Sequence, residues 1–196
     1  MHIEATSLDK KATYFLMTSV LVPRPIAWVG TRCPEGVDNL APFSYFMGVS
    51  SDPPLVAVSI ARGRGGALKD TCTNLLQTEV CTVNIVSAPL LQLMHDSSAP
   101  HPPEVSEFEA LGIESVEAGN GAPGVAAARV RLDCRVYSAQ DLGSTHLFLL
   151  EITAYELDDS LVVDGRVRAA DLAPVARLGG SYSLLGEEIV LPRPSV

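Results

Sequence analysis

Residues 128–138 read ARVRLDCRVYS, and few folds can accept that pattern. Val130, Leu132, Cys134 and Val136 fall on one side, with Arg129, Arg131, Asp133 and Arg135 on the other. A period of two fits a half-buried β-strand and spoils a helix face. PPLVAVSI at 53–60 and EVCTVNIV at 79–86 are short apolar, β-branched runs that suit strands covered on both faces. THLFLLEITAYEL at 145–157 is long enough for a central barrel strand, and PIAWVGT at 25–31 adds another. LVVDGRV at 161–167 reads as a hairpin, because Asp164-Gly165 supplies the positive φ of a tight turn. Helices are few. LKDTCTNLLQT places Leu68, Cys72, Leu75 and Leu76 on one stripe, with Asp70 or Thr71 as N-cap. PLLQLMHD and EVSEFEALGI suit short helices around the loop SSAPHPP. Strands outnumber helices and do not alternate with them, so the expected fold is mainly β, a closed or nearly closed antiparallel barrel with helical decorations.

A chain of 196 residues with 47% apolar and 19% charged residues can bury a core as one domain, residues 1–196. Its net charge of −9 argues against nucleic acid or an anionic membrane as the main partner. Cys33, Cys72, Cys81 and Cys134 form no C-x-x-C pair, and His2, His95, His101 and His146 have no metal-gathering spacing. No metal is expected. The charged N-terminus lacks a signal-peptide centre and no segment approaches a membrane span, so a soluble cytoplasmic protein is expected.

The candidate chemistry lies in loops and strand ends. ARGRGGALKDT at 61–71 has Gly63 and Gly65, but Leu68 stands where a dinucleotide fingerprint needs its third glycine. What remains is Arg62, Arg64 and Lys69 before a helix start, either a solvated basic loop or a phosphate site with Lys69 and the Thr71 hydroxyl as donors. Arg24, between Pro23 and Pro25, leaves a stiffened backbone suited to anion recognition, or merely marks a strand-entry bend. Pro42 in NLAPFS belongs on an edge strand or where the chain leaves the sheet. His146 begins a strand with Phe148, Leu150 and Ile152 on its side, and Arg177 and Tyr182 flank Gly179-Gly180. With no G-x-S-x-G motif and no paired-carboxylate signature, a cofactor is the better carrier of any reaction.

RPIAWVGT, VDNLAPFSYFMGVSSDPP, KDTCTNL, VNIVSAPL, EFEALGI and PVARLGG together resemble, in that order, the flavin reductase-like FMN-binding proteins, which include flavoredoxin and the reductase components of two-component monooxygenases. The resemblance spans about residues 19–183. It implies an FMN-binding split barrel, antiparallel and Greek-key-like, in a homodimer with FMN at the interface. By position it implies that Arg24, Pro25, Ile26 and Ala27, with Lys69, Asp70 and Thr71, serve the phosphate and ribityl end. Ala41, Pro42, Phe43 and Ser44 resemble the stretch along the isoalloxazine, with Ser59 beside it, and Arg177 and Tyr182 match a motif near the flavin pocket. His146 resembles the histidine of a G-D-H strand near the flavin and the nicotinamide, although Thr145 replaces the acidic residue. VGT replaces the commoner V-S-T, so Gly30 stands where a serine is expected. The activity implied is hydride transfer from NADH or NADPH to FMN, with reduced flavin passed to a partner such as a monooxygenase component. An FMN-binding electron carrier and a non-enzymatic split-barrel module are the alternatives.

Overall fold

The computed structural model describes residues 1–194. Strands β1 (Arg24–Pro25), β2 (Ala27–Arg32), β3 (Asp38–Phe43), β4 (Phe46–Ser51), β5 (Pro54–Ala61) and β6 (Val80–Ile85) occupy the first half of the chain. Strands β7 (Ser115–Glu117), β8 (Pro123–Val125), β9 (Val130–Asp141), β10 (Thr145–Leu157), β11 (Val162–Val163), β12 (Arg166–Val167), β13 (Val175–Arg177) and β14 (Tyr182–Leu184) follow. Helices α1 (Lys10–Val20), α2 (Asp70–Thr78), α3 (Leu91–Asp96), α4 (Glu107–Ala110) and α5 (Ala169–Leu172) decorate them.

Seven strands form one antiparallel sheet in the order β3-β2-β6-β9-β10-β5-β4. Hairpins β2–β3, β4–β5 and β9–β10 are joined by longer crossings, a Greek-key-like arrangement. Edge strands β3 and β4 lie at opposite ends of this order yet are joined by only Ser44-Tyr45, so the sheet must curl on itself. There Ser59 N–H donates to Tyr45 O at 2.9 Å. The result is the split barrel, with its seam beside Pro42.

Period-two patterning decides which side chains enter the barrel. Val58 and Ile60 of β5 meet Phe148 and Leu150 of β10, and Ala27, Val29 and Val83 complete the interior. β2 is covered on both faces, as its unbroken apolar run requires. Its outward residue Trp28, with Ile26 just before the strand, packs with Leu40, Val86, Met94 and Phe108 under α3 and α4. Trp28 is fully buried and its indole N–H donates to Ser97 Oγ at 2.9 Å. Truncating such an aromatic costs about 3–5 kcal/mol. The LVVDGRV hairpin is β11–β12, with Asp164 at φ 50° and Gly165 at φ 72°.

Three local details depart from the sequence pattern. Asp133, on the polar side of ARVRLDCRVYS, is buried because its carboxylate accepts Gly119 N–H from a loop folded over β9. Helix α2 starts with Lys69 at its N-cap, without a side-chain cap, rather than Asp70 or Thr71. Its buried side includes Thr71 and Asn74 beside Cys72 and Leu75, while Leu76 and Leu68 are exposed. Helix α1 was not foreseen. Asp9 Oδ1 caps it by accepting Ala12 N–H at 2.6 Å.

Candidate functional site

A small antiparallel sheet, β1-β13-β14, sets the first half of the site. Its register places Arg24 opposite Arg177 and Arg177 opposite Tyr182, so two distant motifs become one row. These three residues line a cavity of about 240 Å³ with Ile26, Pro42, Phe43 and Ser44. Tyr14 of α1 and Met94, His95 and Ser98 close it.

The two arginines of the row behave differently. Arg24 is buried, and its guanidinium donates to Thr18 O at 2.9 Å, Leu21 O at 2.6 Å and Leu178 O at 2.8 Å. A longer bond reaches Ser44 Oγ at 3.5 Å. The prolines do hold Arg24 still, but mainly for the protein's own carbonyls: it fastens the end of α1 and the β13–β14 turn to β1. Arg177 makes no ion pair or hydrogen bond among the described residues; its Cζ lies 4.6 Å from the Tyr182 ring centroid. Tyr182 is held from the other side by His95, whose Nδ1 lies 3.0 Å from the tyrosine hydroxyl.

A second cavity of about 250 Å³ holds Ala41, Lys69, Asp70 and Thr71. Pro42 and Ser98 line both cavities, so the two adjoin along one cleft. Lys69 is exposed at the mouth, with its Nζ 5.6 Å from the centroid of the Phe43 ring and no ion pair among the described residues. It stands at the start of α2, whose first N–H groups have no side-chain cap and whose dipole favours an anion. This donor set fits a phosphate. Asp70 can contribute only its N–H there, since its carboxylate would repel an anion.

Thr71 lines this second cavity yet is fully buried as a residue, and its Oγ1 accepts from Asn39 Nδ2 at 2.9 Å, which leaves the hydroxyl proton to donate. Asn39 also donates to Thr31 Oγ1, to which Asn74 Nδ2 donates at 3.0 Å. This buried network ties α2 to β2 and β3 beneath the cleft. Glu107 ties β3 from the other side, with Oε2 accepting Leu40 N–H at 2.9 Å. It thereby occupies a free edge donor of a strand that has no neighbour there. Burial pushes the Glu107 carboxyl above the ordinary range, against the lowering effect of the Leu40 N–H.

Four expected contacts line neither cavity. Pro25 is exposed on β1, and Ala27 is fully buried inside the barrel, where sheet pairing leaves it no open side. Ser59 Oγ lies 2.8 Å from Thr145 Oγ1 on the β5–β10 face. His146 is buried beside Phe148 near the start of β10, with Nε2 3.9 Å from Asp141 Oδ2 and a buried Nδ1 that has no partner among the described residues. Arg62, expected in the basic cluster, is committed to Asp141 at 2.8 Å and to the carbonyls of Gly143 and Gly66. Gly30 does not offer an N–H to the cleft. It is buried in β2, and a Cβ there would stand 2.0 Å from Pro123 O, so a serine has no room.

Sequence reasoning missed Tyr14, Asn39, His95, Ser98, His101 and Glu107 as parts of the cleft. Asp9 before KKATYF was a readable helix start, and it would have brought Tyr14 into view. His95, His101 and Glu107 arrive through tertiary packing and left no local signal.

The flavin reductase like domain model matches residues 17–170. The chain is similar to the solved nitrilotriacetate monooxygenase component B from Bacillus cereus: 32% identity, TM-score 0.92, covering 97% of this chain and 98% of that one. The Pseudomonas fluorescens 2-nitrobenzoate 2-nitroreductase NbaA is 28% identical with a TM-score of 0.91, covering 100% of this chain and 97% of the other. A Shewanella frigidimarina structure described as a flavin reductase with a split barrel domain shares the fold at 24% identity and TM-score 0.84, over 99% of this chain and 100% of its own.

Proposed function

The chain belongs to the flavin reductase-like family, and from that premise we propose that it is an FMN-dependent reductase taking hydride from NADH or NADPH. The observation that carries this reading is the uncommitted Lys69 at an uncapped helix start, opening past Pro42 into an aromatic-lined cavity. Lys69 and the first N–H groups of α2 would hold the phosphate. Ala41, Pro42, Phe43 and Ser44 would lie along the ring system, with Ile26 beneath. Pro42 lacks an N–H and sits within edge strand β3, so the edge facing the cleft carries no unpaired donor at that position. Bound FMN would supply the hydride-accepting ring; the protein supplies placement, a dry wall and cations. Arg24 serves by fixing the geometry of the wall. His146 touches neither end of the cleft in its own chain, so no step is assigned to it.

The assembly we propose is a cytoplasmic homodimer that passes reduced flavin to a partner, such as a monooxygenase component. Tyr14, Phe15, Met17 and Val20 of α1 are exposed, as are Met47 and Val49 of β4, and surfaces of this kind support self-association. Among the described residues no helix is long and apolar enough to cross a membrane.

Titration with FMN followed by stopped-flow mixing with each nicotinamide tests the reading. Expected are saturable flavin uptake and rapid bleaching by NADH, NADPH or both. Flavin uptake without bleaching would make the protein an electron carrier, and failure to take up FMN would remove the flavin assignment.

A further inference from the structure

The cleft holds more cation than an FMN phosphate needs. Lys69 serves one end, yet Arg177 stands uncommitted at the other, in a protein whose net charge is −9. Arg32 pairs with Asp38, Arg62 with Asp141, Arg129 with Asp158 and Arg135 with Glu151. Among the described residues Arg177 pairs with no carboxylate, and none lines its cavity. Its plane is instead steadied by Tyr182, which His95 steadies in turn. Neighbouring Arg24 cannot substitute, because its donors are spent on Thr18, Leu21 and Leu178. A half-buried guanidinium held at an aromatic wall with its fork free is a receptor for a planar or forked anion.

We propose that Arg177, with Tyr182 and His95, forms a second anion subsite that binds the carboxylate or phosphate of the molecule exchanging electrons with the flavin. The inference rests on the flavin reading and names the substrate class for the same cleft: a planar aromatic bearing an anionic oxygen group. Two sources share that chemistry, an aromatic carboxylic acid acting as acceptor and the phosphates of a nicotinamide dinucleotide acting as donor. Tyr14 and Met94 give the cavity apolar surface for the aromatic part, and the Arg177 fork gives orientation. In this arrangement Lys69 retains the cofactor and Arg177 selects its reaction partner.

The test uses the full-length protein loaded with FMN. Benzoate and NADP⁺ are titrated separately into wild type, Arg177→Gln and Arg177→Lys, with the flavin absorbance band and heat of binding as readouts. FMN affinity of each variant is measured beforehand. The expected result is that at least one probe binds wild type, that Arg177→Gln weakens it about tenfold or more, and that Arg177→Lys recovers part of the loss. FMN affinity should stay within about threefold. Benzoate binding alone identifies the acceptor source, and NADP⁺ binding alone the donor source. Neither probe binding to wild type, or both binding Arg177→Gln as tightly as wild type, overturns the subsite. An Arg177→Gln variant that loses FMN instead moves the arginine to the cofactor, overturning the subsite and leaving the flavin reading intact. Wild-type protein that takes up no FMN fails the flavin reading itself, and the subsite falls with it.

Discussion

The two ends of the cleft hold their cations in opposite ways. At the β1 end, Arg24 is buried and bonded to three backbone carbonyls; at the α2 end, Lys69 stands exposed beside a helix start whose N–H groups await an acceptor. The difference is one of task. A guanidinium that satisfies buried carbonyls is part of the scaffold, and removing it leaves those carbonyls without donors. An ammonium on a flexible stem at a cavity mouth adds little to the fold and can be spent on a ligand. Rigidity of mounting, which drew attention to Arg24, marks the scaffold residue here; availability of donors marks Lys69, the residue we propose for the ligand.

Replacing Arg24 with alanine should therefore cost the fold most, about 3 kcal/mol of unfolding free energy by denaturant titration. FMN affinity of the folded fraction should change by less than the stability does. A variant of wild-type stability that binds no FMN would reverse the contrast between the two ends. Lys69→Ala should show the mirror image: FMN binding weakened by about 1–3 kcal/mol in a fluorescence-quenching titration, with melting temperature nearly unchanged. Weakening that vanishes at high salt would show that Lys69 acts at long range rather than as a direct donor.

The smallest effect concerns Glu107, beneath the Lys69 end. Its carboxyl is raised by burial, so the unfolded chain gives up this proton at lower pH than the folded one does. Stability should then decline as pH rises from the ordinary glutamate range through the raised value, and level off above it. Glu107→Gln keeps an acceptor for Leu40 N–H and should flatten that decline. Thermal melts across the acidic range would show the variant equal to or above wild type near neutrality, by about 1 kcal/mol or less.

Much of the barrel was legible because period-two patterning and β-branched runs report burial directly. The strands around Val130, Leu150 and Val83 needed nothing beyond that. Asp133 was misplaced outward because the loop that covers it, carrying Gly119, is remote in sequence. The cleft was legible in part for a similar reason. Lys69, Pro42 and the proline-flanked Arg24 sit in local contexts whose chemistry shows in the sequence, Ala41 followed only from the resemblance, and the row joining Arg24 to Arg177 and Tyr182 follows only from the sheet register. Which partners were already taken could not be read. Arg24 donates to Leu178 O and Thr71 Oγ1 accepts from Asn39, both partners lying on other elements. His95 and Glu107 enter the cleft from helices whose local pattern speaks only of core packing.

The close approach of β8 to β2 bears on how this barrel can vary. Pro123 O occupies the space a side chain at position 30 would need. A serine at Gly30 is thus closed to this chain as a lone replacement, and it becomes reachable only after β8 draws back. Positions 30 and 123 are coupled: while β8 rests against the bare glycine, the V-S-T spelling is closed to a single substitution.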